Sequence, residues 1–240
     1  MIKAQVPNII TLLNLISGSI SIVFALEGNL VLAAWFVGIA AVFDFFDGFA
    51  ARMLHVSSVI GKELDSLADV ISFGLAPGMI LYMLLLNSVS CPEIIIAGRN
   101  VIPFIAFLIP AFSAYRLAKF NLDERQTDSF IGLPTPANAL MIASFPLILS
   151  QQINLSRIDI TLFTDLINNP WLLIIFILVF SYLLIAELPL MSLKFKTFKW
   201  NDNKVRFIFL IVSILLLILL FYSAIPLIIV FYVLLSLFTN

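Results

Sequence analysis

Apolar residues fill long stretches of this chain, and polar residues gather in short intervals between them. About 20 apolar residues in a helix match one crossing of a bilayer. Eight such stretches can be read: 7–26, 30–52, 63–87, 100–121, 135–151, 170–190, 205–222 and 224–239. Only Ser223, Ala224, Ile225 and Pro226 part the last two, which are together too long for one crossing and predict a helical hairpin. The expected fold is an all-α integral membrane protein of about eight transmembrane helices. It forms a single domain over residues 1–240, with the C-terminal hairpin at 205–239. The first stretch is read as a retained helix rather than a signal peptide, because its only preceding charge is Lys3 and further spans follow.

Composition agrees with the pattern. The chain is 62% hydrophobic and 11% charged, against about 25% charged residues in soluble domains. A net charge of −1 makes no electrostatic case for nucleic acid. Cys91 is the only cysteine, which excludes an internal disulfide, and it is given no role.

Basic residues orient the set. With the N-terminus in the cytoplasm, the inner segments hold Lys3, Arg52, Lys62, Arg116, Lys119, Arg125, Lys194, Lys196, Lys199, Lys204 and Arg206. Arg99 and Arg157 alone fall outside. This bias is the positive-inside pattern, and an even number of spans returns the C-terminus to the cytoplasm.

Acidic residues break the apolar pattern at one place. Asp44, Asp47, Asp65 and Asp69 lie at the end of the second span and the start of the third. Helical spacing puts the first two on one face and the last two on another. Carboxylates near hydrocarbon cost about 2.5–3.5 kcal/mol each on insertion scales, which marks them as functional. At ~5 Å and an effective dielectric near 20, each ionised pair costs about 3 kcal/mol. Protons or divalent cations must offset that repulsion. Magnesium-like cations prefer oxygen ligands and leave room for substrate phosphates, and facing carboxylates suit a pair of ions about 3.5–4 Å apart.

Around the acids, Gly48 and Ala51 are read either as a groove for a ligand or as a helix-packing notch. Arg52 offers a donor fork for phosphate or serves as a membrane anchor, as does Lys62. Gly61 ends the connection or opens room for a ligand. His55 is expected to be a solvated loop residue. Asn8 is a candidate cap of the first helix, with Thr11 one turn on. The run Phe73–Gly78, with two glycines and a proline, predicts a break or kink beside the acids.

The spacing D-x-x-D-G-x-x-A-R-x8-G-x-x-x-D-x-x-x-D, carried by Asp44, Asp47, Gly48, Ala51, Arg52, Gly61, Asp65 and Asp69, resembles the signature of the CDP-alcohol phosphotransferase family. The resemblance implies displacement of CMP from a CDP-linked donor by an alcohol. It implies a two-metal site, Mg²⁺ or Mn²⁺, held by Asp44, Asp47, Asp65 and Asp69, with Asp69 as base for the acceptor hydroxyl. Gly48, Ala51, Arg52 and Gly61 would line the cytidine-diphosphate site, and Asn8 and Thr11 would contact the nucleotide. A homodimer is implied as well.

Further runs narrow the acceptor. Tyr115–Asn121 and Gly132–Ala139 resemble the membrane-embedded, serine-using branch of that family, with Lys119 where arginine is expected and Thr135 where serine or alanine is commoner. The implied donor is CDP-diacylglycerol and the implied acceptor L-serine. Arg116, Lys119 and Asn121 are candidates for serine binding, with Glu187 or a loop acid for its ammonium. Arg116 and Lys119 also read as anchors, and the basic run from Lys194 to Arg206 as a contact to anionic headgroups. Glycerol 3-phosphate or an inositol phosphate is the alternative acceptor. A metal- or proton-coupled transporter is the alternative class, though no internal repeat is visible. The expected location is a bacterial or archaeal cell membrane, with the site facing the cytoplasm.

Overall fold

The computed structural model describes residues 2–56, 58–88, 90–122, 130–154, 161–191 and 200–239, and most of these are helical. Helix α1 spans Ile2–Leu26 and α2 spans Leu30–Met53. Between them Gly28 takes φ +81°, and Asn29 caps α2 by accepting from the Leu32 N–H at 3.2 Å. The third span has three parts: α3 (Val59–Asp69), a π-helical turn (Val70–Leu75) and α4 (Ala76–Leu86). A 3₁₀ turn (Ile102–Phe107) leads into α5 (Leu108–Leu122). Then follow α6 (Thr135–Asn154), α7 (Thr161–Asn168), α8 (Pro170–Ile185), α9 (Trp200–Leu220) and α10 (Ala224–Thr239).

The interior is built from small residues and a few large ones. Ala33, Ala34, Ala40, Ala68, Ala76, Ala139 and Ala143 are buried where helices approach, with Phe73, Ile80, Leu81, Ile142 and Ile177 filling the space between. Small residues let backbones come close, which is how helices associate without a hydrophobic driving force. The outer faces carry Ile9, Leu12, Ile16, Trp35, Val42, Ile175, Ile211 and Ile214, all exposed. Apolar surface on that scale belongs against lipid rather than water.

Among the described residues, five helical runs are long and apolar enough to cross a membrane: Gln5–Leu26, Leu30–Met53, Val59–Leu86, Ile102–Leu122 and Asn203–Phe238. A sixth counts if α7 and α8, which meet at 81°, are one span. Sequence reading counted eight, and two of those elements differ for physical reasons. The fifth, α6, is a helix, but it lies buried against α2, α4, α10 and the π-helical turn and carries Asn138, Ser144 and Gln151 inside. Its environment is protein, so it needs no uniformly apolar sequence. The sixth ends at Ile185 rather than 190, because Pro189–Leu190 pairs as a strand with Phe130–Ile131.

The last run doubles back. Phe209 stacks on Phe231 with ring centroids 5.9 Å apart and meets Tyr232 at 5.8 Å. The turn sits at Phe221, with φ +50°. Gln151 closes it, donating to the Leu220 carbonyl at 3.4 Å and accepting from the Tyr222 N–H at 3.2 Å. At the other end Tyr232 donates to the Met191 carbonyl at 2.8 Å, which brings α10 back beside the end of α8.

The kink expected from Phe73–Gly78 takes the form of the π-helical turn. The Ala76 N–H reaches the Ile71 carbonyl, five residues back, and Pro77 has no N–H to offer Phe73. Pro110 of α5 nests against this stretch, where a Cβ on Gly78 would stand 2.9 Å from its Cδ. Asn8 does not cap α1, because the helix already begins at Ile2 and carries Pro7 and Asn8 inside it. Arg125, Arg157, Lys194, Lys196 and Lys199, used above for orientation, lie outside the described residues.

Candidate active site

Two helix ends make the acidic site. The chain leaves α2 through Leu54, whose N–H bonds to the Ala50 carbonyl at 2.9 Å, and reverses at His55, with φ +52°. Ser58 then caps α3, its Oγ accepting from the Gly61 N–H at 2.9 Å. His55 is exposed, as expected of a loop residue. The connection is short, and both α2 and α3 pack against α1, which brings their carboxylates together. Carboxylate oxygens of Asp44, Asp47 and Asp65 lie within 4.8 Å of one another. Asp69, one turn beyond Asp65, is buried next to Asp44.

Helix α1 supplies the polar partners. Thr11 Oγ1 lies 2.7 Å from Asp47 Oδ2 and 3.0 Å from the Pro7 carbonyl, so its single proton fixes the Asp47 carboxylate against α1. Asn14 Nδ2 donates to Asp69 Oδ1 at 3.2 Å. Among the described residues no lysine or arginine pairs with any of the four aspartates. Asp65 Oδ1 is buried without a hydrogen-bond partner. Clustered carboxylates without an ion-pair partner among the described residues, and with an oxygen left over, are the donor set of a hard divalent cation. The residues fit such an ion.

A cleft of about 270 Å³ opens beside them, lined by Pro7, Asn8, Thr11, Asp47, Gly48, Ala51, Val56, Ser58, Gly61, Lys62 and Asp65. A Cβ on Gly48 would have no protein atom nearer than Arg52 Nη1 at 4.0 Å, so the missing side chain leaves open cleft rather than a packing notch. Gly61 differs. A Cβ there would stand 2.9 Å from Ser58 Oγ and 3.1 Å from Asn8 Oδ1, so its lack of a side chain lets α1 approach the start of α3. Arg52 is exposed at the end of α2.

The three residues proposed for the acceptor part company. Arg116 is buried, with Asp69 and Tyr232 both within electrostatic reach and its Cζ 6.0 Å from the Phe120 ring centroid. Its Nε has no partner. Lys119 instead pairs with Glu187 at 2.8 Å, so neither is brought to the aspartates. Asn121 is used between helices: its Nδ2 donates to Ser66 Oγ at 2.8 Å, and its carbonyl accepts from Lys62 Nζ at 2.9 Å. Sequence reasoning missed Asn14 and Tyr232. Asn14 carries a signal, since it follows Thr11 by three residues on the same helix face. Tyr232 sits in an apolar run that offers none.

Such acids, spanning two membrane helices beside a cleft, define a class. The chain matches the family described as CDP-alcohol phosphatidyltransferase over residues 4–167, and it belongs to that family. It is similar to the CDP-diacylglycerol–serine O-phosphatidyltransferase of Helicobacter pylori (strain ATCC 700392 / 26695), 32% identical over 197 residues, covering 81% of this chain and 74% of that one. The protein of the same name from Bacillus subtilis (strain 168) is 36% identical over 146 residues, 58% of this chain and 75% of its own. The archaetidylserine synthase of Methanothermobacter thermautotrophicus is 33% identical over 141 residues, 58% of this chain and 56% of its own.

Proposed function

We propose that this enzyme transfers the phosphatidyl group of CDP-diacylglycerol to L-serine, giving phosphatidylserine and CMP. The observation that carries the reading is the gathering of Asp44, Asp47 and Asp65 within 4.8 Å, with Asp69 alongside, at the edge of a cleft floored by Gly48. Relatives that use serine, in two bacteria and with a lipid variant in an archaeon, support the acceptor.

Two divalent cations, Mg²⁺ or Mn²⁺, held by the four aspartates, would neutralise the diphosphate and the departing CMP oxygen. The chain's own residues position the rest. Asn8, Thr11, Gly48, Ala51 and Gly61 shape the cleft for the cytidine diphosphate, with Arg52 at its rim. Asp69 accepts the proton of the serine hydroxyl as that oxygen bonds to the β-phosphorus. The bond from the β-phosphorus to the bridging oxygen breaks, and its electron pair leaves with CMP. Arg116, buried beside Asp69, meets the serine carboxylate.

The whole chain, residues 1–240, acts in this reading as one catalytic unit crossing the membrane eight times, with both termini in the cytoplasm. The basic-residue bias supports that direction, and so does the return of α10 to the site end of the bundle. The site then faces the cytoplasm of a bacterial or archaeal cell, where serine is dissolved. The family resemblance supports a homodimer.

The product decides the acceptor. Purified enzyme with CDP-diacylglycerol and Mn²⁺ is offered L-serine, glycerol 3-phosphate and an inositol phosphate together, and the lipid product is weighed by mass spectrometry. The expected mass is that of phosphatidylserine. A glycerophosphate or inositol phosphate product overturns the acceptor, and folded enzyme releasing no CMP overturns the reaction.

A further inference from the structure

Free serine carries an ammonium and a carboxylate besides the hydroxyl that reacts. A buried site for it therefore needs an acceptor and a donor, both free of protein partners. Glu187, the acid considered for the ammonium, is engaged by Lys119 at 2.8 Å. Another group meets the requirement. Asn14 is fully buried on α1, and its Oδ1 has no hydrogen-bond partner. Arg116 on α5 is buried with its Nε likewise unpartnered. Asn14 is bonded to Asp69 at 3.2 Å, and the charge of Arg116 is within electrostatic reach of the same carboxylate without an ion pair to it.

The direction of the Asn14 amide follows from that bond. Its nitrogen faces Asp69 and donates to Oδ1, which turns the amide oxygen away from that carboxylate. A buried oxygen without a donor is costly, and protein interiors leave few of them. One acceptor bonded to Asp69 and one donor within electrostatic reach of it, on different helices, match the two charged ends of an α-amino acid. The hydroxyl of that amino acid would then lie near Asp69.

We propose that Asn14 is a specificity-determining residue: its Nδ2 positions Asp69, and its Oδ1 accepts a hydrogen bond from the acceptor's ammonium while Arg116 meets the carboxylate. The inference rests on the reading of serine as acceptor and deepens it.

The test compares L-serine with 3-hydroxypropionate, which keeps the hydroxyl and carboxylate and lacks the ammonium. In Asn14→Leu, the ratio of kcat/KM for L-serine to that for 3-hydroxypropionate is expected to fall about 10–100-fold, the effect of a lost hydrogen bond to a charged group. Binding of labelled L-serine in the presence of CMP is expected to weaken in parallel. Loss of Asp69 positioning alone would lower both acceptors equally and leave the ratio unchanged, and that result overturns the proposal. Asn14→Ser, smaller and still polar, gives the same comparison should the leucine variant fail to fold. Failure of the unsubstituted enzyme to use serine would show before any substitution is made and would overturn the acceptor reading together with this one.

Discussion

Asp44, Asp47, Asp65 and Asp69 have different neighbours, and so different expected roles. Asp47 is tied to Thr11, and Asp65 keeps an oxygen with no partner. Asp44 stands among all three of the others. Asp69 is the one held by an amide from α1, beside Arg116. Substituting Asp69→Asn is therefore expected to lower turnover at least 100-fold while metal-dependent binding of the CDP-linked donor persists. Asp44→Asn is expected to weaken both. Steady-state turnover together with donor binding separates the two, and near-normal turnover in Asp69→Asn would contradict the base assignment. At this scale the acids were legible in the sequence because their spacing fixes a shared helix face. Asn14 shares a helix face with Thr11, but its pairing with Asp69, 55 residues away, arises only from the packing of α1 on α3.

Among the elements, the loop before α6 shows how little freedom the scaffold has. Gly132 takes φ +76° and donates to the Leu188 carbonyl at 2.9 Å. A Cβ there would stand 2.8 Å from the Leu184 carbonyl and 2.9 Å from that of Ala186, at the end of α8. Gly132→Ala is expected to destabilise by about 1–3 kcal/mol, through strained backbone and a collision with carbonyls. Gly38→Ala, in α2, meets nothing within 4 Å and serves as a neutral control. Thermal unfolding in detergent compares them, and equal melting temperatures would contradict the packing described. The sequence marked Gly132–Ala139 only as a motif, because the carbonyls it serves come from α8, some 50 residues on. The Gly and Pro run at Phe73–Gly78 did announce an interrupted helix. What the run does not show is that Pro110 of α5 packs against the turn, a contact from outside the local pattern.

Across the whole molecule, the apolar pattern correctly gave helices with lipid-facing surfaces. Where an element's surroundings are protein, that pattern carries less. Helix α6 is enclosed by its neighbours and tolerates Asn138 and Gln151 inside. Helix α7, for which the pattern predicts no element, meets α8 at 81°. The apolar run from Asn203 to Phe238 hides a turn closed by Gln151, and that turn carries Tyr232 back beside Arg116. The result is a bundle in which the opening of α1, the junction of α2 with α3, the end of α5 and the returning α10 meet at one end. In the proposed reaction two cations would be held there by the aspartates. Electron paramagnetic resonance of purified enzyme titrated with Mn²⁺ and CMP measures this directly. The expected result is two Mn²⁺ per chain, magnetically coupled at a separation of about 3.5–4 Å, with coupling lost in Asp44→Asn and Asp65→Asn. Uncoupled Mn²⁺, or binding that both substitutions leave unchanged, would contradict it.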